Sequence, residues 1–193
     1  MFSSVSLNEW PGREAVEAMR QWSALAALAE RVAAVECLEG LVLLGSFASG
    51  TPDELSDIDV IAVSKPGLFR QAWDERHRLS EDALVSWDLD LGSKLNVRGH
   101  NWLTRDIIKI DSTILDPDSG SKELAAPYVV CVGPPEIANR FPHVPLEVVR
   151  ERARRRAEAQ NRMPVDPDAI PYGELIDWKI AELKNAVRRA LRT

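Results

Sequence analysis

Apolar and polar positions recur with two different periods along the chain, and each period predicts a kind of element. In the first part, apolar residues recur every three or four positions in an Ala-rich stretch: Trp22, Leu25, Leu28, Val32 and Val35. This spacing predicts a long amphipathic helix over residues 12–38. The run LVLL at residues 41–44 is too short for a helix, and its apolar character before a glycine predicts a buried strand.

Three further stretches have the composition of strands. Residues 57–64 (DIDVIAVS) are followed by a Lys-Pro-Gly breaker, and we expect a helix over residues 67–85 after it. Residues 101–116 (NWLTRDIIKIDSTILD) are rich in isoleucine and predict the next strand. Residues 127–132 (PYVVCV) predict another, which ends before a Gly-Pro-Pro stop.

The last third of the chain has a helical pattern. Residues 145–163 and 171–193 each have apolar residues at helical spacing, and the Pro- and Asp-rich residues 164–171 link them. The order of elements predicts an α+β fold: a small mixed β-sheet flanked by helices, with a C-terminal helical segment. We expect the sheet domain in residues 1–133 and the helical segment in residues 134–193.

Composition and charge narrow the classes of function. A formal net charge of -6 disfavours indiscriminate binding of nucleic acid, which usually needs a basic face. No apolar run is long enough to span a bilayer, and the first residues do not resemble a secretory leader, so we expect a cytoplasmic protein with no membrane partner. Cys37 and Cys131 lack the spacing of a zinc site, and we expect two buried, reduced thiols.

The stretch GSFASGTPDELSDIDV at residues 45–60 carries the candidate chemistry. Asp57 and Asp59 are two residues apart in a predicted strand, so their side chains project from one face and repel each other. A divalent cation resolves this repulsion, and carboxylate oxygens suit Mg²⁺. Gly45 allows close approach of a phosphate, and Ser46 offers an N–H and a hydroxyl to it. The stretch therefore predicts a site for a metal-bound nucleoside triphosphate.

A third carboxylate is expected from a neighbouring strand. Asp111 lies in the apolar run IIKIDSTIL, where an acid is costly to bury without a partner. It shares one strand face with Lys109 and Thr113. We expect a metal ion as the partner of Asp111, with Lys109 either neutralising this acid or contacting a substrate phosphate.

The spacing of these residues is similar to that of a known superfamily. A Gly-Ser pair, ten intervening residues and an Asp-x-Asp before an aliphatic run resemble the signature of the polymerase-β-like nucleotidyltransferases. The resemblance is strong over residues 41–64, continues to residue 132 and has no motif beyond it. It is nearest to the small members, the minimal and antibiotic nucleotidyltransferases. It implies a nucleotidyltransferase domain in residues 1–133 and phosphate binding by Gly45 and Ser46. Ser49, the third candidate for nucleotide binding, stands where many such loops carry arginine.

The resemblance also implies metal ligands and a reaction. Asp57, Asp59 and Asp111 are the implied catalytic residues and ligands of two Mg²⁺ ions, which hold the attacking and leaving oxygens of an in-line displacement. The expected reaction moves AMP from ATP onto a hydroxyl of a small molecule and releases pyrophosphate. Two alternatives stay open. The acceptor is a partner protein, as in antitoxin-like members, or the fold binds nucleotide as a regulatory module without turnover.

Other polar residues are expected to have structural roles. Asp88 and Asp90 form a second Asp-x-Asp with no phosphate loop before it, which is typical of an ordinary loop. The histidines His77, His100 and His143 pair with no Ser or Cys in a hydrolase-like motif, and we expect them on the surface or in loops. The arginine-rich residues 150–156 predict a solvated helix face, with contact to RNA or an acidic partner as the alternative.

Overall fold

The computed structural model describes most of the chain: residues 5–6, 10, 13–89, 96–119, 123–125, 127–145, 147–149, 151–152, 154–155 and 172–190. Its contacts divide the chain into two compact units, Met1–Leu146 and Glu147–Thr193. Residues 134–145, which the sequence placed with the helical segment, belong to the first unit, because Ile137, Ala138 and Phe141 are buried in a core beside the sheet.

Over the described residues the strands are β1 Val5–Ser6, β2 Leu38–Leu43, β3 Ile58–Ser64, β4 Ala83–Leu89, β5 Val97–Thr104, β6 Lys109–Leu115, β7 Leu124–Ala125, β8 Val129–Val132 and β9 His143–Val144. Seven of these strands form one mixed sheet in the order β1-β8-β2-β3-β6-β5-β4, and two short strands pair separately as β7-β9. The central pair β3–β6 is parallel, whereas β2–β3 and β5–β6 are antiparallel. The α+β class and the mixed sheet expected from the sequence are confirmed.

Both faces of the sheet are covered over its central strands. Ile58, Val60 and Ala62 of β3 pack into one core, and Ile61 and Val63 pack into the other. This explains why β3 is a nearly continuous apolar run rather than an alternating one. Asp59 is the exception, because it is half-buried among fully buried neighbours.

In the part of the chain that the structure describes, five α-helices have defined bounds: α1 Arg13–Glu17, α2 Gln21–Ala34, α3 Gly45–Ala48, α4 Phe69–Asp74 and α5 Tyr172–Ala190. Short 3₁₀ turns lie at Arg76–Arg78, Pro117–Ser119 and Pro135–Arg140. The apolar stripe of α2 is buried against the first core through Leu25, Leu28 and Val32, as its spacing predicted.

Two predicted helices are shorter than expected. The helix expected over residues 12–38 is broken after Glu17 by tight turns, and it ends at Ala34 so that β2 can begin at Leu38. The helix expected over residues 67–85 ends at Asp74, and its last part is instead the edge strand β4. Among the described strands β4 pairs with β5 alone. Most of its residues are exposed, so it lacks the apolar signal of a central strand.

The strand expected over residues 101–116 is a hairpin. Strand β5 ends at Thr104 and β6 begins at Lys109, with a tight turn between them. Ile107 lies in this turn with φ of 60° and is 56% exposed, although its β-branched side chain favours a strand. Register pairs Asn101 with Asp111 across the hairpin.

The second unit contains α5 and the helical residues 147–149, 151–152 and 154–155. Glu151 forms ion pairs with Arg154 and Arg155, which agrees with a solvated helix face. The predicted linker at residues 164–171 lies outside the described residues, and so do Arg150 and Arg156. Among the described residues, no helix is long and apolar enough to cross a membrane.

The two cysteines are free thiols, as expected. Cys37 is buried in the first core, and Cys131 is half-buried beside it. Burial raises the pKa of both thiols, to about 12 for Cys131. Neither thiol is therefore activated as a nucleophile.

Candidate active site

Asp59 and Asp111 are directly paired on the two central parallel strands. The register of β3 and β6 joins Ile58 to Ile110 and Asp59 to Asp111. Paired residues in neighbouring strands project to the same face, so the sheet brings these two carboxylates side by side. Asp57 lies just before β3, and the side chains of Asp57 and Asp111 are 26% and 29% exposed.

The acids emerge on one defined face of the sheet. Ile58 and Ile110 belong to the core that lies under α2, and side chains alternate along a strand. Asp59 and Asp111 therefore project to the opposite face, the one that carries Ile61 and Leu115 further along the same strands. Both acids lie near the start of their strands, where each side chain is only half-buried.

Gly45 lies directly against Asp59. It has φ of 66°, a conformation that favours glycine, and it follows the end of β2. A Cβ atom at this position would overlap Oδ2 of Asp59 and lie 3.2 Å from its Cγ. The backbone N–H of Leu44 also donates to the carbonyl of Asp59 at 2.8 Å. The turn at Gly45 and the side chain of Asp59 are therefore packed directly against each other.

The turn after Gly45 is anchored in the protein interior. Phe47 is fully buried and Ala48 nearly so. The indole Nε1 of Trp10 donates to the carbonyl of Ala48 at 3.2 Å. These contacts hold the backbone of residues 45–48 rigidly while Gly45 itself stays exposed.

Ser46 and Ser49 have different surroundings in this turn. The carbonyl of Ser46 accepts hydrogen bonds from the Ser49 hydroxyl at 2.9 Å and from the Thr51 N–H at 2.9 Å. The hydroxyls of Ser49 and Thr51 are 2.8 Å apart. Ser49 therefore stabilises the turn. The sequence predicted a phosphate contact for Ser49 and did not predict this structural role. Ser46 has its half-buried side chain next to Gly45.

Lys109 lies among the acids. Its Nζ atom is 2.8 Å from Oδ1 and 3.0 Å from Oδ2 of Asp111, and 3.8 Å from Oδ2 of Asp57. The residue is only 7% exposed. Of the two roles expected from the sequence, neutralisation of Asp111 is the one that the geometry shows.

The donor set fits a hard divalent cation. Asp57, Asp59 and Asp111 offer carboxylate oxygens, the ligands that Mg²⁺ prefers. Over the described residues, however, no three His, Cys, Asp or Glu side chains are grouped as a ready metal cage. The ammonium of Lys109 stands between Asp57 and Asp111. The carboxylate oxygens would therefore suit such a cation chemically, although the ammonium of Lys109 lies among them.

Gln21 is a site-supporting residue that the sequence did not reveal. Its amide Nε2 donates to the carbonyls of Glu54 at 3.0 Å, Asp53 at 3.3 Å and Ser56 at 3.4 Å. Gln21 is 1% exposed and fixes the loop that leads into Asp57. Its partners are backbone carbonyls, so no residue type in that loop could have indicated the contact.

Asp53 stabilises the same loop, as expected for a turn residue. Its Oδ1 accepts hydrogen bonds from the Leu55 N–H at 3.0 Å and from the Ser56 hydroxyl at 2.9 Å. The Asp53 N–H in turn donates to the Ser56 hydroxyl at 2.8 Å. This reciprocal pattern is an Asx-type turn, and it leaves Asp53 out of the acid cluster.

Asp88, the first acid of the second Asp-x-Asp, forms hydrogen bonds with neighbouring side chains in the fold. Asp88 accepts two hydrogen bonds from Arg76, at 3.0 and 2.9 Å, and one from His100 Nδ1 at 2.8 Å. His100 Nε2 is 2.9 Å from the Ser80 hydroxyl. His100 is in a strand and 4% exposed, so the expectation of a surface or loop position was wrong for it. Asp90 lies outside the described residues.

Asp88, His100 and Ser80 are linked in the order of a hydrolase triad, but the serine is not accessible to solvent as a catalytic serine is. Ser80 is 8% exposed, so its hydroxyl is not presented to a substrate. Burial lowers the pKa of His100 despite the opposing hydrogen bond to Asp88. A neutral imidazole that donates to Asp88 and accepts from Ser80 satisfies both ring nitrogens. These three residues therefore form a structural network that links the exposed Asp88 to the buried His100 and Ser80.

A cavity of about 410 Å³ lies between α4 and the start of β5. Its lining includes Trp73, Arg70 and Arg98. Arg98 is paired with Ile114 in the hairpin register, so it projects to the sheet face opposite to Asp111. The cavity is separate from the acid site.

Residues 25–115 match the family model of the nucleotidyltransferase domain. This range runs from α2 to the end of β6 and includes Gly45, Asp59 and Asp111. This match agrees with the resemblance to nucleotidyltransferases that the motif at residues 41–64 carries. No curated protein matches the chain significantly.

Solved structures of Cid1 are similar to part of the chain. A complex of Cid1 with its short product ApU has 15% identity and a TM-score of 0.38, and covers 57% of this chain and 32% of that chain. A Cid1 structure described in terms of RNA terminal uridylyl transferase activity has 16% identity and a TM-score of 0.40, with the same coverage. A complex with the UTP analog UMPNPP has 16% identity and a TM-score of 0.35, and covers 58% of this chain and 32% of that chain. The chain spans about a third of each structure, so those substrates are properties of Cid1.

Proposed function

We propose that this protein is a nucleotidyltransferase that moves AMP from ATP onto a hydroxyl acceptor and releases pyrophosphate. The observation that carries the proposal is the pairing of Asp59 with Asp111 on adjacent parallel strands, with Gly45 against Asp59. Paired carboxylates on one face are unfavourable for stability alone, which supports a functional role. A cytoplasmic location stays a prediction from the sequence.

Each residue has a definite role in this proposal. The exposed backbone at Gly45 and the N–H and hydroxyl of Ser46 bind phosphate oxygens of the nucleotide. Ser49 keeps this turn in shape through its bond to the Ser46 carbonyl. The acceptor oxygen forms a bond to the α-phosphorus while the bond from that phosphorus to the pyrophosphate oxygen breaks. The carboxylate of Asp111 accepts the proton of the acceptor hydroxyl.

Asp57, Asp59 and Asp111 are the residues that would hold Mg²⁺. When bound, such ions neutralise charge that develops on the phosphate oxygens and on the leaving pyrophosphate. The protein contributes the fixed positions of the three carboxylates. Gln21 and the buried Phe47 preserve those positions from the two sides of the site.

Three classes of acceptor remain to be distinguished. A small molecule with a free hydroxyl is the first choice, because the resemblance is nearest to minimal and antibiotic nucleotidyltransferases. A hydroxyl on a partner protein is the second. The net charge argued against nucleic acid, but the comparisons give that exclusion no support, so RNA with a free 3′ hydroxyl belongs among the acceptors tested.

The test is transfer of label from α-labelled ATP with Mg²⁺. Acceptors are an aminoglycoside set, a cell lysate separated into proteins and small molecules, and short RNA. Labelled product with release of pyrophosphate is expected from the wild type and not from Asp59→Asn. Asp74→Asn, an exposed acid beside the separate cavity, is the control and keeps full activity. An active Asp59→Asn variant would show that the acid pair is not the catalytic centre.

A module that binds nucleotide without turnover is the second candidate. Two observations favour it: serine at position 49 instead of arginine, and the ammonium of Lys109 at the acids. Binding of nucleotide with no pyrophosphate release from any acceptor class would favour this candidate over the enzyme.

A further inference from the structure

Lys109 is a buried cation with two carboxylate partners. Strand alternation places it two residues before Asp111 on the same face. Its ammonium contacts both oxygens of Asp111, at 2.8 and 3.0 Å, and reaches Asp57 at 3.8 Å. A lysine this buried is unfavourable without such partners, so the position of the ammonium is determined by the acids.

The same two acids are expected to ligate the metal. An ammonium and a divalent cation that share carboxylate partners repel each other and need the same oxygen lone pairs. Both cannot keep full contact with Asp57 and Asp111 at once. Asp59 differs, because its carboxylate is packed against Gly45 in the phosphate turn.

We propose that Lys109 is an internal counter-ion that competes with the divalent cation for Asp57 and Asp111. Metal binding displaces its ammonium from these acids, and the affinity for metal is set by the strength of the lysine contacts. The inference rests on the proposed function for the metal site but concerns a positioning residue that this function does not require. It explains how three carboxylates coexist on one face before metal arrives.

The test measures metal affinity directly. Mn²⁺ replaces Mg²⁺, and free Mn²⁺ is followed by electron paramagnetic resonance during titration of the wild type, Lys109→Met, Lys109→Gln and Lys109→Arg. The two neutral variants should bind Mn²⁺ roughly tenfold more tightly or better, because a repelling charge is gone. Lys109→Arg keeps the charge and should bind no more tightly than the wild type.

A matched control separates this effect from a general change in charge. Lys65→Met removes the same charge at an exposed position after β3. Its Mn²⁺ affinity should equal that of the wild type. A lysine with only a structural role predicts weaker or equal metal binding in Lys109→Met, and either result would overturn the proposal.

Thermal unfolding supplies a second readout. Without metal, the neutral variants should be less stable than the wild type, since the acids lose their counter-ion. Saturating Mn²⁺ should raise their melting temperature more than that of the wild type. If Lys109→Met does not fold, Lys109→Gln keeps the comparison, because its amide still donates hydrogen bonds to Asp111.

The outcomes separate the two proposals. Tighter Mn²⁺ binding by the neutral variants, with no transfer activity in the wild type, supports the counter-ion and contradicts the enzyme. Active transfer with equal Mn²⁺ affinity in all variants supports the enzyme and overturns the counter-ion. Absence of Mn²⁺ binding by every variant also overturns the counter-ion, and the transfer assay then decides the function alone.

Discussion

The Cα atom of Gly45 packs against the carboxylate of Asp59, and the space between them is too small for a methyl group. This contact joins the turn after β2 to the first residues of β3. The backbone bond from Leu44 N–H to the Asp59 carbonyl fixes the same junction at 2.8 Å. The proposed phosphate-binding turn and the proposed metal ligand therefore cannot move independently.

Gly45→Ala should lower both stability and nucleotide binding. The left-handed backbone costs an alanine about 1–2 kcal/mol, and the overlap with Asp59 adds to this cost. Gly67→Ala is the matched control, because Gly67 has φ of 74° with no heavy atom within 4 Å of the added carbon. Urea unfolding of both variants and ATP titration measure the difference. Equal losses of unfolding free energy and of ATP affinity in the two variants would contradict a specific contact between Gly45 and Asp59.

Asp111→Asn should destabilise the free protein more than Asp59→Asn. Asp111 is nearer to the buried ammonium of Lys109 than Asp57 is, and its loss leaves that ammonium with the longer contact to Asp57 at 3.8 Å. Both variants should lose transfer activity. Thermal unfolding without metal gives the order of stability, and the reverse order would refute the assignment of Asp111 as the main partner of Lys109.

Much of this site could be predicted from the sequence. The positions of Gly45, Asp59 and Asp111 follow from local patterns: a glycine after an apolar run, and acids in β-branched stretches. The β4–β5 hairpin could not be predicted as easily, because Leu84 and Val85 of the edge strand are exposed and give no alternation toward a core. Long-range hydrogen bonds to backbone, such as those of Gln21, leave no pattern in the sequence of their partners.

Gln21→Met tests whether the loop before Asp57 depends on α2. Methionine has a similar volume and lacks the amide that donates to the carbonyls of Asp53, Glu54 and Ser56. We expect a loss of about 1 kcal/mol in unfolding free energy, because the carbonyls of Asp53 and Ser56 lose this part-buried donor, whereas that of Glu54 keeps its bond from Arg20. Hydrogen exchange should also become faster at the Leu55 and Ser56 amides. Ser23→Ala, on the exposed side of the same helix, should leave exchange in this loop unchanged.

His100 should make stability depend on pH. Burial lowers the pKa of its imidazole in the folded protein, whereas the unfolded chain has the ordinary value near 6.5. As pH falls through this value, the unfolded state takes up the proton first, so stability is full above it and declines below it, by at most about 1.4 kcal/mol per pH unit. Urea unfolding between pH 8 and pH 5.5 measures the slope while Asp88 stays ionised.

Two variants isolate the contribution of this histidine. In His100→Gln, the decline of unfolding free energy with falling pH should disappear. The stability of this variant at pH 8 is lower than that of the wild type, because the contacts with Asp88 and Ser80 are altered. His77→Gln, at an exposed position in the neighbouring turn, should keep the wild-type slope. An unchanged slope in His100→Gln would show that other groups cause the pH dependence.

The most direct test of the site is calorimetric titration of ATP, with and without Mg²⁺, into the wild type and the double variant Asp57→Asn/Asp59→Asn. We predict Mg²⁺-dependent binding by the wild type that the double variant loses while it remains folded. Equal binding of ATP by both proteins, or no binding by the wild type, would contradict a metal–nucleotide site at these acids.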